Sequence, residues 1–444
     1  MPMKRSTLII CLSMGAVVTL VPTAWAAGDG EHHGLDPMVL VGVAVILLCA
    51  KLVGEVFDRL GQPAVLGELV AGIVIGNLAL VHFLAFESLK TNEVIAALAE
   101  IGVIILLFEV GLESNLKEMR AVGLSALLVA VVGVVVPFFL GWGVAAYFLP
   151  GADRWTHIFI GATLCATSIG ITARVLKDMG RLDTREARII LGAAVLDDVF
   201  AMLILAVVSG VIRAAAAGGV LSLASIGIIA AKSFGFLIGA VLVGQFVIPL
   251  VFRGASRYAN NGVLLAFAVA FCFLLAWAAS LVGLAPIIGA FAAGIVLDEV
   301  YFEHLHDHTK HDLLELLAPI SAILAPIFFV VIGMKVDLRV FRSLSIIAFG
   351  AALIVAGIIG KQVCSLVVVE RGVNRFAVGI GMIPRGEVGL IFAGIGATLL
   401  LPDAAGVLSP VIGPSTFGAV VIMVMVTTLV TPPILKRVMA KQKE

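Results

Sequence analysis

The stretch CATSIGITAR, residues 165–174, interrupts an apolar run with three hydroxyl side chains around Gly170. A second stretch, GIGMIPRGEVGL at residues 379–390, places Pro384 among four glycines in another apolar run. Proline removes a backbone donor and clashes with the preceding turn, and glycine lowers helix propensity, so we predict that both stretches unwind inside helices. Two broken helices in corresponding halves are typical of inverted-repeat transporters, with the binding site at the crossing. Packing glycines are the alternative for either stretch alone.

The composition around these stretches is that of a membrane protein. Of the 444 residues, 61% are hydrophobic and 13% are charged, whereas about 25% of residues are charged in a soluble domain. Lysine and arginine together equal aspartate and glutamate at 29 each, so we expect no nucleic-acid partner. The five cysteines lack CxxC or Cys/His spacing, which argues against a disulfide or zinc framework.

Thirteen apolar segments follow the first 37 residues, and each is long enough to span a bilayer as a helix. Helices satisfy their own backbone groups in hydrocarbon, so we predict an all-α polytopic membrane protein with about 13 transmembrane helices and two discontinuous crossing helices. The segments are residues 38–56, 64–82, 94–112, 121–148, 157–176, 187–211, 220–251, 262–281, 284–300, 317–334, 344–369, 376–400 and 411–435. Helices 4 to 6 and 11 to 13 are the predicted inverted halves.

The N-terminus and the loop charges predict an orientation. Residues 1–27 have the pattern of a signal peptide, with Lys4 and Arg5 before an apolar run and small residues spaced for cleavage; an uncleaved extra helix is the alternative. With the mature N-terminus outside, eighteen lysines and arginines lie on the inner side and six on the outer side. This excess agrees with the positive-inside rule and places the C-terminus in the cytoplasm.

A pair of acids marks the candidate site. Asp197 and Asp198 lie in AAVLDDVFAML, residues 193–203, and ionisable groups inside a membrane span are functional by default. Consecutive helical positions diverge by about 100°, so the two carboxylates need different partners. Lys361 is the only basic residue deep in helix 11 and is the candidate partner. The alternatives are a purely structural counter-ion or a lysine that reaches the membrane interface.

Three further acidic and basic residues are candidates near the breaks. Arg385 and Glu387 lie two residues apart at the second break, where they can neutralise exposed helix ends and each other's charge; direct contact with an ion is the alternative. Glu109 lies one turn deeper than Glu113 at the inner end of helix 3 and is a candidate for a funnel through which ions enter.

The loop at residues 298–312 holds four histidines, which we interpret as a solvated loop, with a pH sensor as the alternative.

Five motifs in order resemble the second cation:proton antiporter family, and most closely its bacterial sodium/proton antiporters with a paired-aspartate site. The resemblance extends from about residue 38 to residue 435. The motifs are LLFEVGLESNL (106–116), ATSIGITARVLKDMGRLDTREARIILGAAVLDDV (166–199), GLAPIIGAFAAGIVL (283–297), APIFFVVIGMKVDL (325–338) and GMIPRGEVGLIF (381–392).

The resemblance implies a homodimer of two-domain protomers in the bacterial inner (plasma) membrane. Residues 38–112 and 262–334 would form the dimerisation domain, and residues 121–213 and 344–436 the core transport domain. Residues 220–251 would form the linker helix. We expect no appended regulatory domain of the kind found in the potassium-efflux members.

The resemblance also implies roles for the candidate residues. Asp198 matches the carboxylate that binds the proton or the monovalent cation, Asp197 its neighbour, and Lys361 the lysine that pairs with this neighbour. Thr167 and Ser168 match the unwound stretch beside the ion. The family's electroneutral members carry asparagine in place of the first aspartate, so Asp197 favours the electrogenic branch.

The expected function is therefore secondary-active antiport, with no enzymatic activity and no cofactor. The partners would be H⁺ and Na⁺, or Li⁺ or K⁺, together with the lipid bilayer. Cation and proton would compete for Asp198 during alternating access. A K⁺/H⁺ antiporter of the same family is the first alternative, and a gated cation channel is the alternative from another class.

Overall fold

A computed structural model describes residues 37–81, 86–113, 123–182, 184–216, 223–255, 261–304, 313–402 and 408–440. The predicted signal segment and the histidines between residues 305 and 312 lie outside these ranges.

Helices make up almost all of the described chain, and each predicted segment contains one helix or one broken pair. The helices are α1 Pro37–Arg59, α2 Ala64–Gly76, α3 Glu93–Glu113, α4 Leu124–Phe148, α5a Arg154–Thr163, α5b Ile169–Asp178, α6 Arg185–Ala216, α7 Leu223–Ala255, α8 Asn261–Leu281, α9 Pro286–His304, α10 Leu313–Met334, α11 Leu344–Val363, α12a Arg375–Gly381, α12b Gly386–Thr398 and α13 Pro414–Ala440. Short 3₁₀ turns cover Leu78–Val81, Glu87–Lys90, Leu338–Arg342 and Cys364–Val367.

The predicted multi-pass architecture is confirmed. In the described ranges, nine helices are long and apolar enough to cross a membrane, or ten if the bent pair α12a and α12b is one span. The shorter α2, the apolar part of α9 up to Leu297 and the broken α5 do not meet that criterion on their own. The count of thirteen crossings therefore stays a prediction.

One element departs from the all-α prediction. Two short antiparallel strands, β1 Leu400–Pro402 and β2 Leu408–Pro410, form a hairpin between α12b and α13. The apolar run that predicted helix to residue 400 ends as helix at Thr398. A proline biases the residue before it toward extended conformation, so Leu401 enters the strand ahead of Pro402. Leu401 is buried, and β1 packs against α6.

The helices pack in two groups. In the first group, α2 packs on α1 and α10, and α9 packs on α3 and α8. The second group pairs α4 with α5a, α6 and α11, and α13 with α11 and α12b. Helix α7 contacts α9 of the first group and α6 of the second. The two groups contain the helices assigned to the two domains, whose separate roles in dimerisation and transport remain predictions.

Glycines hold the first group in close backbone contact. A Cβ added at Gly72 of α2 would lie 2.2 Å from the carbonyl oxygen of Val330 on α10. On α3 and α9, a Cβ at Gly111 would lie 2.3 Å from Phe291 O, and one at Gly294 would lie 2.3 Å from Phe108 O. Small residues allow this approach between membrane helices.

The second group is organised by the two broken helices. Helix α12 breaks between Gly381 and Gly386 and bends there by 44°. Helix α5 breaks between Thr163 and Ile169. The predicted centre of this break, Gly170, instead lies in the first turn of α5b, because the non-helical residues are the five that precede Ile169.

Candidate functional site

The first break bonds to the second through its hydroxyl and amide groups. The amide of Ser168 donates to the Pro384 carbonyl at 2.8 Å. The hydroxyl of Thr172 donates to the Gly381 carbonyl at 2.6 Å, and Thr167 donates to the Met382 carbonyl at 3.3 Å. The carbonyls of Gly381, Met382 and Pro384, at and just after the end of α12a, have no donor within a helix. Hydrogen bonds from the first half of the chain therefore supply their donors.

Arg385 makes the reciprocal connection from the second break to the first. Its side chain is fully buried, and its guanidinium donates to the carbonyls of Leu164 and of Ala166, the latter at 2.9 Å. A further bond of 3.2 Å reaches the Gly357 carbonyl on α11. The positive charge therefore lies at the C-terminal end of α5a, where a helix dipole favours a cation.

Glu387 has a different partner from Arg385. Its Oε2 accepts a hydrogen bond from Ser168 Oγ at 2.7 Å. Among the described contacts, Arg385 and Glu387 do not pair with each other, because the guanidinium is directed at the α5a carbonyls. Instead of pairing with each other, as predicted, Arg385 and Glu387 each bond to residues of the first break.

Asp197 and Lys361 form an ion pair inside the second group. Lys361 Nζ lies 2.8 Å from Asp197 Oδ1, and both side chains are 0% exposed. The Thr167 hydroxyl is also within reach of the Asp197 carboxylate. On α4, a Cβ added at Gly133 would lie 3.5 Å from Lys361 Nζ and 3.8 Å from Asp197 Oδ1. The pair is therefore closed off from both water and lipid.

Asp198 lies on another side of α6 and has different surroundings. It is 4% exposed, and its Oδ1 has no hydrogen-bond partner in the described structure. The nearby charges that act on it include those of Asp197, Glu387 and Glu113, with Lys361 opposing them. A carboxylate in such a position is stable when it is protonated or when it binds a cation. The 100° divergence of neighbouring helix positions thus gives the two aspartates separate environments.

Glu109 bonds within the first group. Its carboxylate accepts a hydrogen bond from Ser321 on α10, and its charge interacts with that of Glu387. Glu113, one turn further along α3, is exposed. Glu109 thus connects α3 to α10 and lies near enough to Glu387 for their charges to interact. Its role in a funnel for entering ions stays a prediction.

Two residues near the site were missed by sequence reasoning. Ser321 is a serine between two prolines of an apolar helix, a signal that was present in the sequence. Gly133 is one of many membrane glycines and carries no comparable signal. In the described ranges, no three His, Cys, Asp or Glu side chains group together as metal ligands.

Two cavities lie between the helix groups. One of about 420 Å³ is lined by Asn77 and Asp337 of the first group and by Phe417 of the second. The other, about 230 Å³, is lined by Gln62 of the α1–α2 turn and by Glu387. By the predicted orientation, the larger cavity faces outward and the smaller one inward.

Comparisons with known proteins agree with this architecture. The transmembrane sodium/hydrogen exchanger family matches residues 44–441. The high-affinity Na⁺/H⁺ antiporter NhaS3 of Synechocystis sp. is 39% identical over 96% of this chain and 97% of that protein. The Na⁺/H⁺-K⁺ antiporter GerN of Bacillus cereus is 34% identical over 89% of this chain and 94% of its own length.

The fold is also similar to a solved structure. The sodium proton antiporter MjNhaP1 of Methanocaldococcus jannaschii superimposes with a TM-score of 0.64 at 15% identity, covering 90% of this chain and 96% of that one. The antiporter family predicted from the five motifs is confirmed: this chain belongs to the sodium/hydrogen exchanger family.

Proposed function

We propose that this protein exchanges Na⁺ for H⁺ across the membrane and that Asp198 is the site for both ions. The observation that carries the proposal is the contrast within the aspartate pair. Asp197 is neutralised by Lys361 at 2.8 Å, whereas the buried Oδ1 of Asp198 has no partner among the described residues. Asp198 is thus the carboxylate that is available to an exchangeable ion.

Competition at one carboxylate is sufficient for exchange. Burial penalises the bare negative charge, so Asp198 is stable with a proton or with a cation but not without either. If the second helix group moves only when Asp198 is neutral, then each movement of that group transports either a proton or a cation. A gradient of protons therefore drives the cation in the opposite direction.

Alternating access requires a path to each side of the membrane. The two cavities lie at opposite predicted faces and between the two helix groups. Rocking of the second group against the first would open one cavity toward Asp198 and close the other. In this proposal, the first group forms the homodimer and α7 links the groups.

Lys361 is proposed to carry a second proton. It is buried and depends on Asp197 for its charge, so it releases its proton when Asp197 is engaged by Thr167 or by the transported ion. Two protons would then move for each Na⁺, and transport would be electrogenic. Robust exchange without current in vesicles driven by a Na⁺ gradient would contradict this part of the proposal.

The ion assignment follows the relatives. NhaS3 is named for Na⁺/H⁺ antiport, and GerN for Na⁺/H⁺-K⁺ antiport. We therefore propose Na⁺ as the principal substrate, with K⁺ as the second candidate on the basis of GerN. A gated channel is less compatible with the site, because a channel needs a continuous polar pathway and Asp198 is only 4% exposed.

We place the protein in the bacterial inner membrane as a homodimer, with a cleaved signal segment, an outer N-terminus and a cytoplasmic C-terminus. The distribution of eighteen inner and six outer basic residues supports the orientation. Cysteine labelling in intact and permeabilised cells would test the orientation.

The central test is transport by the purified protein in liposomes. Na⁺, Li⁺ and K⁺ are added in turn, and the release of internal protons is followed with a pH-sensitive dye. Asp198→Asn should abolish cation-dependent proton movement, because the amide cannot bind a proton or neutralise a cation. The control is Glu55→Gln, which changes an exposed acid that pairs with Arg59. Persistent Na⁺-driven proton release in Asp198→Asn would contradict the assignment.

A further inference from the structure

The smaller cavity contains oxygen atoms that the exchange at Asp198 does not use. It is lined by the α1–α2 turn, by α5b, by the first turn of α12b and by α13. Three of its lining residues, Gln62, Glu387 and Thr428, carry side-chain oxygens. Gln62 belongs to the first helix group, and the other two belong to the second.

Thr428 differs from its neighbours Thr427 and Thr431 on α13. Thr427 donates to the Met423 carbonyl at 2.9 Å, and Thr431 donates to the Thr427 carbonyl at 2.7 Å. Thr428 is 0% exposed, yet its hydroxyl has no hydrogen-bond partner in the described structure. A buried hydroxyl without a partner costs about 1–3 kcal/mol, so such a group indicates that something else occupies the site.

The backbone of Thr428 adds a second oxygen. Pro432 lies four residues further along α13 and also lines the cavity. Because proline has no N–H, the Thr428 carbonyl lacks the donor that a regular helix would supply. Freed carbonyls of this kind coordinate cations in transporters with interrupted helices.

The remaining oxygens come from both sides of the cavity. Glu387 uses Oε2 to accept from Ser168, and Oε1 has no hydrogen bond in the described structure. Gln62 Oε1 is buried and likewise has no partner there. One carboxylate with neutral oxygens is the type of ligand set that hard cations prefer.

Two positive side chains, Arg174 and Lys436, also line the cavity. Arg174 Nη1 lies 2.6 Å from Asp58 Oδ1 on α1, so its charge is compensated by that acid. Lys436 is exposed and lies near the C-terminal end of α13. Glu387 is the acidic residue among the side chains that line the cavity.

We propose that this cavity holds a second, transient site for a monovalent cation, formed by Gln62, Glu387 and the hydroxyl and carbonyl of Thr428. The inference rests on the proposed function, because it places the site on the path between the cytoplasm and Asp198. Gln62 and Thr428 belong to different helix groups, so a relative movement of the groups takes the site apart. The cation is thereby passed on or released in the same step that closes the inner cavity.

Binding is tested without transport, in protein that lacks the first site. Thermal unfolding of the purified full-length Asp198→Asn variant is measured in NaCl and in choline chloride of equal concentration. Na⁺ should still raise the unfolding temperature, because ligands that bind only the folded state stabilise it. Adding Thr428→Val, which removes the hydroxyl but keeps the shape, should reduce this Na⁺-specific rise, because the site loses one of its ligands.

The matched control is Asp198→Asn with Thr431→Val, which removes a neighbouring buried hydroxyl that is bonded to Thr427. This control should keep the Na⁺-specific rise. The proposal is overturned if Asp198→Asn alone shows no difference between Na⁺ and choline, or if both threonine variants lose it equally.

Transport gives the second readout. In vesicles that expose the inner face, Thr428→Val should raise the KM for Na⁺ about three- to tenfold, the range for losing one ligand interaction, with the main effect on KM and not on the maximal rate. Thr431→Val should keep the KM of the unmodified protein. An unchanged KM in Thr428→Val, with exchange still abolished by Asp198→Asn, would overturn the second site and leave the proposed function standing.

Discussion

The α2–α10 contact and the α5–α12 crossing hold the protein together in opposite ways. At the first, Gly72 and Gly333 bring two backbones together, and a Cβ at Gly333 would lie 2.4 Å from Leu69 O. At the crossing, hydroxyls and a guanidinium satisfy carbonyls at broken helix ends. The first contact depends on volume and the second on hydrogen-bond chemistry. We therefore expect the α2–α10 contact to be sensitive to added volume and the α5–α12 crossing to be sensitive to the loss of a hydrogen-bonding group.

The largest effect is expected when one partner of the buried ion pair is removed. Lys361→Met leaves Asp197 unpaired in a site that is 0% exposed, and this should destabilise the fold by about 3–5 kcal/mol. The measurement is the unfolding temperature in detergent. The double variant Asp197→Asn with Lys361→Met removes both charges and should recover most of the loss. If the double variant is as unstable as Lys361→Met, the cause is lost packing and not the unpaired charge.

A smaller effect is expected from added volume in the first group. Gly72→Ala places a methyl group 2.2 Å from Val330 O, and overpacking of this kind costs about 1–3 kcal/mol. The control is Gly143→Ala on α4, where an added Cβ has no atom within 4 Å. It should be neutral or stabilising, because alanine favours helix. Equal unfolding temperatures of the two variants would show that α2 and α10 are not tightly locked.

The smallest effect is expected from one lost bond at the crossing. Thr172→Val keeps the shape but leaves the Gly381 carbonyl without its donor, at a cost of about 1–2 kcal/mol. The control is Thr398→Val, whose exposed hydroxyl bonds to Ile395 O at 2.9 Å. Because water can replace that bond, the control should change the unfolding temperature little. A similar loss in both variants would mean that the bond across the crossing has no special importance.

The sequence alone predicts the features that depend on local chemistry. Pro384 and its glycines predict the second break, and the adjacent positions of Asp197 and Asp198 predict that the two carboxylates diverge. The family follows from five ordered motifs, because their combination is specific where each alone is weak. These inferences need only the identity and the spacing of neighbouring residues.

Features that depend on distant parts of the chain could not be predicted. Two of the carbonyl partners of Arg385, Ala166 and Leu164, lie 219 and 221 residues away, and no local pattern identifies them. Strand β1, Leu400–Pro402, follows directly on an apolar run that is equally compatible with helix. The position of Gly133 beside Lys361 and Asp197 depends on the packing of α4 against α6 and α11, which the sequence does not specify locally.

The hydrogen bonds across the crossing can form only after both halves of the chain have been synthesised. Thr172 and its acceptor Gly381 are separated by 209 residues. While the first half of the chain is made, the carbonyls of Leu164 and Ala166 have no Arg385 to bind, and unsatisfied groups in hydrocarbon are costly. The first broken helix must therefore stay hydrated or shielded in the insertion machinery until the second half arrives. A protein of this design is expected to become protease-resistant only after both halves have entered the membrane.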